Sequence, residues 1–284
     1  MASILVTGAA GFIGRALCRA LRLRGHEVAE LSSRDGDIAE PATLSHIGPV
    51  DHVFHLAGRT FVPDSWNDPL GFQRVNMLGT ANVLEFCRAH GARSTFVSAY
   101  LYGVPERLPV SEACVPQPNN PYALSKHLAE QACAFYATHH DIDVTVIRPF
   151  NIFGPGQKAH FLIPQVVSQV RAHRAIHVKD LAPRRDYIYI DDLVDALVRT
   201  MGGPGGYNVF NIGSGSSLSV AELIAAIQFV AGTELPVISE GKVRPNEIND
   251  VYADIGKARN LLGWAPSLTF QQGIERMILE EPDI

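Results

Sequence analysis

The sequence lacks the long apolar runs and the cysteine clusters that mark membrane proteins and disulfide-rich proteins. No run approaches the roughly 18 consecutive apolar residues of a membrane span, and the first apolar run is broken by Thr7-Gly8, so we expect neither a transmembrane helix nor a signal peptide. The four cysteines stand far apart and form no C-x-x-C pair, which disfavours a disulfide framework and a zinc site. We therefore expect reduced thiols in a cytoplasmic protein.

The sequence also lacks an excess of basic residues. Lys and Arg number 24 against 29 Asp and Glu, for a net charge of -5, so the chain has no electrostatic footprint for nucleic acid. What it has is a globular composition, with 46% hydrophobic and 19% charged residues among 284, which excludes a disordered or fibrous chain. This length allows one large domain or two modest ones.

Short apolar runs alternate with segments of helical periodicity in the first half of the chain. Runs rich in Val, Ile and Phe predict strands, and apolar residues three and four apart predict amphipathic helices. The predicted strands are 4–6, 27–31, 52–56, 94–98, 144–147 and 209–212, and the predicted helices are 13–24, 79–90 and 122–139. This alternation predicts an α/β fold with a doubly wound parallel sheet of the Rossmann-like type.

The alternation weakens after residue 148. Helices are predicted near 163–173 and at 220–231, a Gly/Pro cluster at 202–206 breaks the chain between them, and a closing stretch follows at 255–279. We therefore predict a first domain at 1–150, whose sheet is completed by segments near 185–213. A second, smaller α/β lobe at 151–284 is predicted to be interleaved with it.

A glycine-rich turn joins the first predicted strand to the first predicted helix. In this turn Gly8 permits a tight bend, Gly11 lets a phosphate approach the backbone, and Gly14 allows close packing of the helix on the sheet. The helix N-terminus, with Phe12 and Ile13, presents unpaired N–H groups to phosphates. The G-x-x-G-x-x-G spacing between a strand and a helix predicts a dinucleotide site rather than a merely structural turn.

The end of the second predicted strand bears on the choice of dinucleotide. An acidic residue there suits the ribose 2′-hydroxyl of NAD, and an arginine suits the 2′-phosphate of NADP. The chain has Ser32-Ser33-Arg34 at this point, two hydroxyls and a guanidinium that favour NADP(H) over NAD(H). In the alternative interpretation, Arg34 is a solvated surface residue and Asp35 or Asp37 binds the ribose. Asp37-Ile38 is also placed to cap an adenine edge.

Three polar residues form a candidate catalytic group. Tyr122 and Lys126 are four apart on a predicted helix, so they share a face, and the nearby cation is expected to lower the pKa of the phenol. Ser98 ends a predicted strand at the sheet edge where ligands bind in open α/β folds. Alone, each residue would fit a plain helix face or a turn; downstream of a dinucleotide turn, they predict proton transfer.

Other polar residues receive structural interpretations. His52 and His55 are three apart on a predicted strand, so they face opposite sides of the sheet and do not share a metal ion. We expect no metal site. Glu85 and Glu130 are interpreted as parts of solvated helix faces.

Together these segments resemble the extended short-chain dehydrogenase/reductase superfamily, in its NAD(P)-dependent nucleotide-sugar epimerase/dehydratase branch. They look most like the reductases of nucleotide-linked 4-keto-6-deoxyhexoses, of the GDP-6-deoxymannose type. The blocks that carry the resemblance span the chain: 7–14, 55–58, Asn76 with 79–80, 98–103, 122–126, 148–151, 154–156, 185–187, 211–213, 244–247 and 262–266.

The resemblance implies roles for particular residues. Tyr122 would be the general acid/base, Lys126 would tune it and bind the nicotinamide ribose, and Ser98 would hydrogen-bond the reacting sugar oxygen. Further cofactor contacts would come from Leu56, Ala57, Gly58 and Pro149. The substrate diphosphate would contact Asn151, Arg185 and Arg244, with Glu247 near the nucleoside ribose; for the two arginines the alternative is a surface salt bridge. Domain 1–150 would then bind the dinucleotide, and lobe 151–284 mostly the substrate.

Departures from the family pattern narrow the expected reaction. Dehydratases of this branch have acidic residues directly after the catalytic hydroxyl, where this chain has Ala99 and Tyr100, so dehydration is disfavoured. Reduction of a 4-keto sugar by NADPH is favoured; the alternatives are a 4-epimerase with bound NAD and a non-catalytic NAD(P)-sensing protein. The pairing of Tyr122 with Lys126 speaks against the sensor. The resemblance also implies a homodimer.

Overall fold

A computed structural model describes residues 1–242 and 247–280 of the chain. The strands are β1 (Ser3–Thr7), β2 (Glu27–Leu31), β3 (His52–His55), β4 (Arg93–Val97), β5 (Val144–Pro149), β6 (Asn151–Phe153), β7 (Ile176–Val178), β8 (Arg184–Arg185), β9 (Tyr187–Tyr189), β10 (Tyr207–Ile212), β11 (Leu218–Ser219) and β12 (Val237–Ser239). The helices are α1 (Phe12–Leu23), α2 (Val62–Asn67), α3 (Pro69–Gln73), α4 (Gly79–His90), α5 (Pro121–His139), α6 (Leu162–Arg171), α7 (Ile190–Thr200), α8 (Val220–Ala231), α9 (Gly256–Leu262) and α10 (Phe270–Glu280). A 3-10 turn lies at Pro41–Leu44 and a π-helical turn at Arg74–Leu78.

The centre of the fold is a parallel six-stranded sheet in the order β10-β5-β4-β3-β1-β2. Every strand predicted from the sequence is present in it. The predicted α/β class with a doubly wound parallel sheet is therefore confirmed. The strand order reverses direction between β1 and β3, since β2 lies on one side of β1 and β3 on the other, and an order that reverses in this way opens a crevice at the carboxyl ends of the strands.

Helices cover both faces of the sheet, and the two-residue period of the strands explains why. Ile4 and Val6 of β1 belong to the core shared with α1 and α7, whereas Leu5 belongs to the core shared with α4 and α5. Because both faces of β1 are buried, Ile4, Leu5 and Val6 form an unbroken apolar run rather than an alternating one. This packing fixes the depth of α5, which carries Tyr122 and Lys126.

The second half of the chain builds small sheets beside the central one. The strands pair as β6 with β9, β8 with β11, and β7 with β12. Buried Asp186, between β8 and β9, joins this segment to the turn after β10 and to Ala253, because its carboxylate accepts hydrogen bonds from the backbone N–H groups of Ser214, Gly215 and Ala253. β10 lies beside β5 in the central sheet, so the two halves of the chain are interleaved. The assignment of separate binding roles to 1–150 and 151–284 remains a prediction.

In the parts of the chain described, 1–242 and 247–280, no helix has both the length and the apolarity needed to cross a membrane.

Candidate active site

The glycine turn is packed too tightly for any side chain at two positions. Gly8 has φ +71°, and a Cβ there would lie 2.7 Å from the backbone nitrogen of Ala57. A Cβ at Gly14 would lie 2.3 Å from the Gly8 carbonyl oxygen, so Gly14 packs on the turn itself rather than on the sheet as expected. Gly11 is the N-cap of α1 without a side-chain cap. The first N–H groups of α1, at Phe12 and Ile13, suit a phosphate ligand.

The segment 56–58 runs from β3 toward α5 and is held by a buried hydrogen-bond network. The Thr7 hydroxyl accepts a bond from the backbone N–H of Ala57 and lies 2.7 Å from His55 Nδ1. Burial lowers the pKa of His55 to about 3, so its ring is neutral. A Cβ at Gly58 would lie 3.6 Å from Lys126 Nζ. The glycine turn, segment 56–58 and Lys126 are thus brought close together.

His52, like His55, is a buried residue of the sheet with a hydrogen-bond partner. Its ring lies 2.9 Å from the Thr95 hydroxyl, and burial lowers its pKa to about 3. His55 has a different partner at its other ring nitrogen, the Thr80 hydroxyl. Each histidine is therefore a neutral core residue with hydrogen-bond partners of its own.

Ser98 is the clearest sign of a ligand at this edge of the sheet. It follows β4, its backbone N–H donates to the carbonyl of Ile147, and its side chain is only 4% exposed. Its hydroxyl has no hydrogen-bond partner among the residues described. A buried hydroxyl without a partner costs on the order of 1 to 3 kcal/mol, and a ligand oxygen would supply that partner.

Tyr122 is held at the start of α5 by local hydrogen bonds. Asn120 caps the helix by accepting from the N–H of Ala123, and Pro121 is its first residue. The Ser125 hydroxyl donates to the Tyr122 carbonyl, and Asn76 donates to the Ser125 hydroxyl. The sequence blocks included Asn76 but gave it no role. Through its bond to Ser125, Asn76 ties the π-helical turn to the first turn of α5.

Lys126 lies one turn after Tyr122, as expected, but its ammonium faces the sheet. Nζ donates to the Val97 carbonyl at 2.7 Å and stands over the Phe96 ring. Burial lowers the pKa of Lys126 to about 8. Burial raises the pKa of Tyr122 above its ordinary value, opposite to the sequence-based expectation, because desolvation of the phenol dominates. The phenol is therefore protonated at neutral pH and equipped to donate a proton.

A buried ion pair supports the face of α5 that carries these residues. Glu130, interpreted from the sequence as solvated, is 3% exposed and accepts two hydrogen bonds from Arg148 Nε and another from Nη2. Arg148 also donates to the Tyr102 hydroxyl, which donates to Asn211. The interpretation of Glu130 was wrong because it lies eight residues after Tyr122 and four after Lys126, on the face of α5 turned to the sheet. Glu85 is exposed and pairs with Arg88.

At the end of β2, a carboxylate accompanies the two hydroxyls and the guanidinium predicted to bind a 2′-phosphate, and their binding of that phosphate remains a prediction. The Asp35 carboxylate accepts hydrogen bonds from both the backbone N–H and the hydroxyl of Ser32, and these bonds hold the Asp35 pKa below its usual range. Ser33 and Arg34 are exposed. The local turn, in which the N–H of Asp35 bonds the Ser32 carbonyl, places the Asp35 carboxylate beside Arg34 at this strand end.

The predicted adenine contacts are divided between the surface and the core. Asp37 is ion-paired with Arg74 at 2.5 Å, and its carboxylate also accepts from the N–H of Ala39. Ile38 is buried against Gly79, where a Cβ would lie 2.7 Å from its side chain. Arg74, which also pairs with Glu40, escaped the sequence analysis because its partners are more than thirty residues away. Pro149, the remaining predicted cofactor contact, ends β5 and is buried.

The predicted substrate residues lie on the second-half strands. Asn151 starts β6, is exposed, and its side-chain amide donates to the Asp186 carbonyl. Arg185 forms an ion pair with Glu247 and donates to the Ile248 carbonyl at 2.5 Å. The structure thus brings two of the predicted substrate contacts together as partners of each other. Arg244 lies outside the residues described.

The two positions that carry acids in dehydratases are apolar or phenolic in this structure as well. Ala99 is buried, and the Tyr100 hydroxyl donates to the Gly103 carbonyl. Burial raises the pKa of Tyr100 above its usual range, and the nearby Arg185 guanidinium opposes this rise. Tyr100 therefore lies between the end of β4 and Arg185, as a neutral phenol.

The chain is similar to known proteins along nearly its whole length. Residues 4–213 match the NAD dependent epimerase/dehydratase family. The chain is 32% identical to the GDP-6-deoxy-D-mannose reductase of Pseudomonas aeruginosa over 97% of this chain and 95% of that one. It is also 32% identical to a UDP-glucose 4-epimerase of Mycolicibacterium smegmatis, over 96% of each chain. The structure of RMD from Pseudomonas aeruginosa complexed with NADPH has a TM-score of 0.90 at 32% identity, covering 99% and 98% of the two chains.

Proposed function

The chain belongs to the NAD dependent epimerase/dehydratase family, and from this premise we propose that it reduces a nucleoside-diphosphate 4-keto-6-deoxyhexose with NADPH. Family membership confirms the resemblance seen in the sequence blocks and the expectation of an NAD(P)-dependent enzyme of the extended short-chain dehydrogenase type. The choice of reductase is supported by the relative named GDP-6-deoxy-D-mannose reductase and by the neighbour complexed with NADPH.

One observation carries the proposal: a buried hydroxyl without a partner follows β4, and the helix that carries a protonated phenol is tied to the end of that same strand. Ser98 has an unsatisfied Oγ at the end of β4, and Lys126, on the same helix as Tyr122, bonds the carbonyl of the residue just before Ser98. A ketone oxygen is an acceptor that both hydroxyls can satisfy. It needs a proton at the moment it gains charge.

The chain's own groups would act in the following way. Ser98 donates a hydrogen bond to the sugar C4 carbonyl oxygen and orients it. Tyr122 gives its proton to that oxygen as the carbonyl becomes a hydroxyl. Lys126 holds the nicotinamide ribose and offers a positive charge to the phenolate left behind. NADPH, when bound, supplies the hydride that reaches C4.

Cofactor and substrate would lie along the carboxyl edge of the sheet. Gly8, Gly11 and the first turn of α1 would hold the pyrophosphate, and segment 56–58 would line the dinucleotide. Asn151 and Arg185 would meet the substrate diphosphate, with Arg185 exchanging part of its contact to Glu247 for phosphate oxygens. A guanidinium suits that exchange because its planar fork fits carboxylate and phosphate alike.

The second candidate is a nucleotide-hexose 4-epimerase that retains NAD. The observation in its favour is the Asp35 carboxylate at the end of β2, because an acidic residue there suits the ribose hydroxyls of NAD. The similarity to UDP-glucose 4-epimerases points the same way. Ala99 and Tyr100 are compatible with both reactions, since neither the reduction nor the epimerisation needs an acid at those positions.

The test is to mix the purified protein with NADPH and a GDP- or dTDP-linked 4-keto-6-deoxyhexose and follow the nicotinamide absorbance. A reductase consumes NADPH in proportion to the product formed. An epimerase would interconvert UDP-glucose and UDP-galactose without net cofactor change. A protein that binds NADPH but turns over none of these would be the sensor, and the proposal would be wrong.

We propose in addition that the enzyme works in the cytoplasm as a homodimer. The expectation of reduced thiols is compatible with burial of Cys18, Cys87 and Cys133 and with free thiols at all four cysteines. Sedimentation equilibrium checks the oligomeric state. A mass that stays at 30.9 kDa across the accessible concentrations would contradict the dimer.

A further inference from the structure

A cavity of about 460 Å³ lies between α1 and the edge strand β2, next to the glycine turn. Ala9 of the turn and Glu30 of β2 form two of its walls, and Arg15, Arg19 and Arg22 line it from successive turns of α1. None of these arginines belongs to the candidate active site. The cavity holds three guanidinium groups against one carboxylate, so it attracts anions.

The three arginines differ in how far they are already engaged. Arg22 pairs with Glu30 at 2.5 Å, which neutralises the only carboxylate of the cavity. Arg15 is held at the turn, where Nη1 donates to the Ala10 carbonyl at 2.7 Å. Arg19 makes neither a hydrogen bond nor an ion pair with any residue described, and both Arg15 and Arg19 are exposed. Arg15 and Arg19 therefore have N–H groups available for a ligand.

The floor of the cavity adds no negative charge to offset the positive charge of the arginines. Cys18 lies there, and burial, assisted by the neighbouring Glu30, raises the pKa of its thiol to about 12. The thiol is neutral at physiological pH. An anion entering the cavity would meet the guanidinium groups of Arg15 and Arg19 without a free negative charge beside them.

The position of the cavity identifies the anion. The N–H of Ala9 bonds the carbonyl of Leu31 and so joins the glycine turn to the end of β2. In dinucleotide-binding folds the adenosine ribose lies between this turn and the end of the second strand, and the cavity has a wall from each. The group that distinguishes NADP from NAD is a phosphate monoester on that ribose.

The structure also argues against the position chosen from the sequence. The Asp35 carboxylate bonds Ser32, so a dianionic phosphate at the tip of β2 would meet a like charge. The guanidinium of Arg15, in contrast, is fixed against the turn by its bond to the Ala10 carbonyl, and Arg19 follows one helical turn further along α1. A phosphate is stabilised by the arginines and repelled by Asp35.

We infer that Arg15 and Arg19 form the site for the 2′-phosphate of an NADP-type cofactor and decide its preference over NAD. The inference rests on the proposed function, because it concerns the cofactor of that same site. It moves the discriminating charge from the loop after β2, where Arg34 lies, to the exposed face of α1.

The experiment uses ligands that contain only the adenosine end of the cofactor. Adenosine 2′,5′-bisphosphate and 5′-AMP are titrated into the full-length protein by calorimetry, and NADPH and NADH are titrated in parallel. The variants are R15M, R19M and the double variant. R24M is the matched control: Arg24 follows the same helix, pairs with Asp195, and lies outside the cavity.

We expect the double variant to bind adenosine 2′,5′-bisphosphate and NADPH about 30-fold or more weakly, since each guanidinium-phosphate bond lost weakens binding about 10-fold. Binding of 5′-AMP and NADH should change less than about 3-fold, because neither carries the 2′-phosphate. R24M should bind all four ligands like the wild type. D35N should strengthen NADPH binding by removing a like charge.

Several outcomes would overturn the inference while leaving the proposed chemistry intact. One is a wild type that binds the bisphosphate and 5′-AMP equally; another is a loss of NADPH preference in R34M but not in the double variant. A third is displacement of the bisphosphate by inorganic phosphate at equal concentration, which would make the cavity a general anion site. If the wild type binds none of the four nucleotides, the proposed function itself fails.

Discussion

The site has a reacting end, around Ser98 and Lys126, and a binding side for the sugar nucleotide, around Asn151 and Arg185. These two regions are built in opposite ways. Ser98 directly follows β4 and Lys126 lies on α5; both are at most 4% exposed, and buried hydrogen bonds fix Lys126 and its helix. Asn151, Arg185 and Glu247 lie on or beside strands of two or three residues and retain partial exposure. The first region is rigid and desolvated, whereas the second is charged and its ion pair can exchange partners.

The comparison shows that desolvation acts at the reacting end and ion pairing acts at the binding side. Desolvation raises the pKa of Tyr122 and lowers that of Lys126, which sets the protonation states that the reaction needs. The ion pair of Arg185 and Glu247 keeps a guanidinium half-buried and available without leaving it unpaired. The reacting end is therefore expected to affect kcat, and the binding side to affect KM.

The largest effect is expected for Tyr122→Phe. It removes the proton donor and leaves the ring, so turnover should fall about 1,000-fold or more while NADPH binding changes little. Steady-state rates and a fluorescence titration with NADPH measure the two effects. The control is Tyr136→Phe on the same helix, whose exposed hydroxyl bonds Glu85. Comparable rates in Y122F and Y136F would refute the role of Tyr122.

Arg148→Met tests whether the buried pair supports the reacting end. It leaves the Glu130 carboxylate buried without its partner, so the free energy of unfolding should fall by about 3 to 5 kcal/mol. Urea denaturation gives this value. Arg88→Met is the control, because it removes an exposed pair with Glu85 that contributes at most about 1 kcal/mol. Equal losses in both variants would contradict the importance of burial.

Lys126→Met tests the desolvation of the reacting end through pH. The folded pKa is about 8 against an ordinary 10.5, so the unfolded chain binds the proton more tightly. The cost of the buried charge is therefore complete below about pH 8, and stability rises relative to K126M between there and pH 10.5, by on the order of 3 kcal/mol.

Denaturation of the wild type and K126M in parallel, at neutral pH and at about pH 10, isolates this difference from other titrating groups. K126M should also lose activity, since Lys126 contacts both the strand end and the predicted nicotinamide ribose. A stability difference that is constant over this pH range would mean that Lys126 is not desolvated in solution.

The smallest effect is expected on the binding side. Arg185→Gln should raise KM for the sugar nucleotide about 10- to 100-fold, with kcat within a few-fold, because a phosphate contact is lost in ground state and transition state alike. Arg184→Gln is the control, since Arg184 is the neighbour in sequence but contacts Ser217 and Glu222. A fall in kcat at unchanged KM would place Arg185 at the reacting end instead.

Much of the central sheet could be predicted because its signals are local. Strands β1 to β5 and β10 each contain Val, Ile or Phe within a short run, and α4 and α8 begin and end at the predicted residues. Two α-helices of the first half, α2 and α3, went unpredicted because they have only six and five residues. Glu130 and Arg148 are eighteen residues apart, so no local pattern reveals that they pair.

The sequence by itself determined the family, the doubly wound sheet, the glycine turn, and the presence of Tyr122, Lys126 and Ser98 at the ends of predicted elements. The family followed from the resemblance of ordered sequence blocks, and the other features follow from spacing along one strand or one helix, which the backbone geometry fixes. Only the tertiary structure decided that Asp35 occupies the tip of β2, that Arg185 pairs with Glu247, and that Lys126 faces Val97. Burial and charge pairing depend on which distant segments meet, and the free energy of a charge is set by all of its neighbours at once.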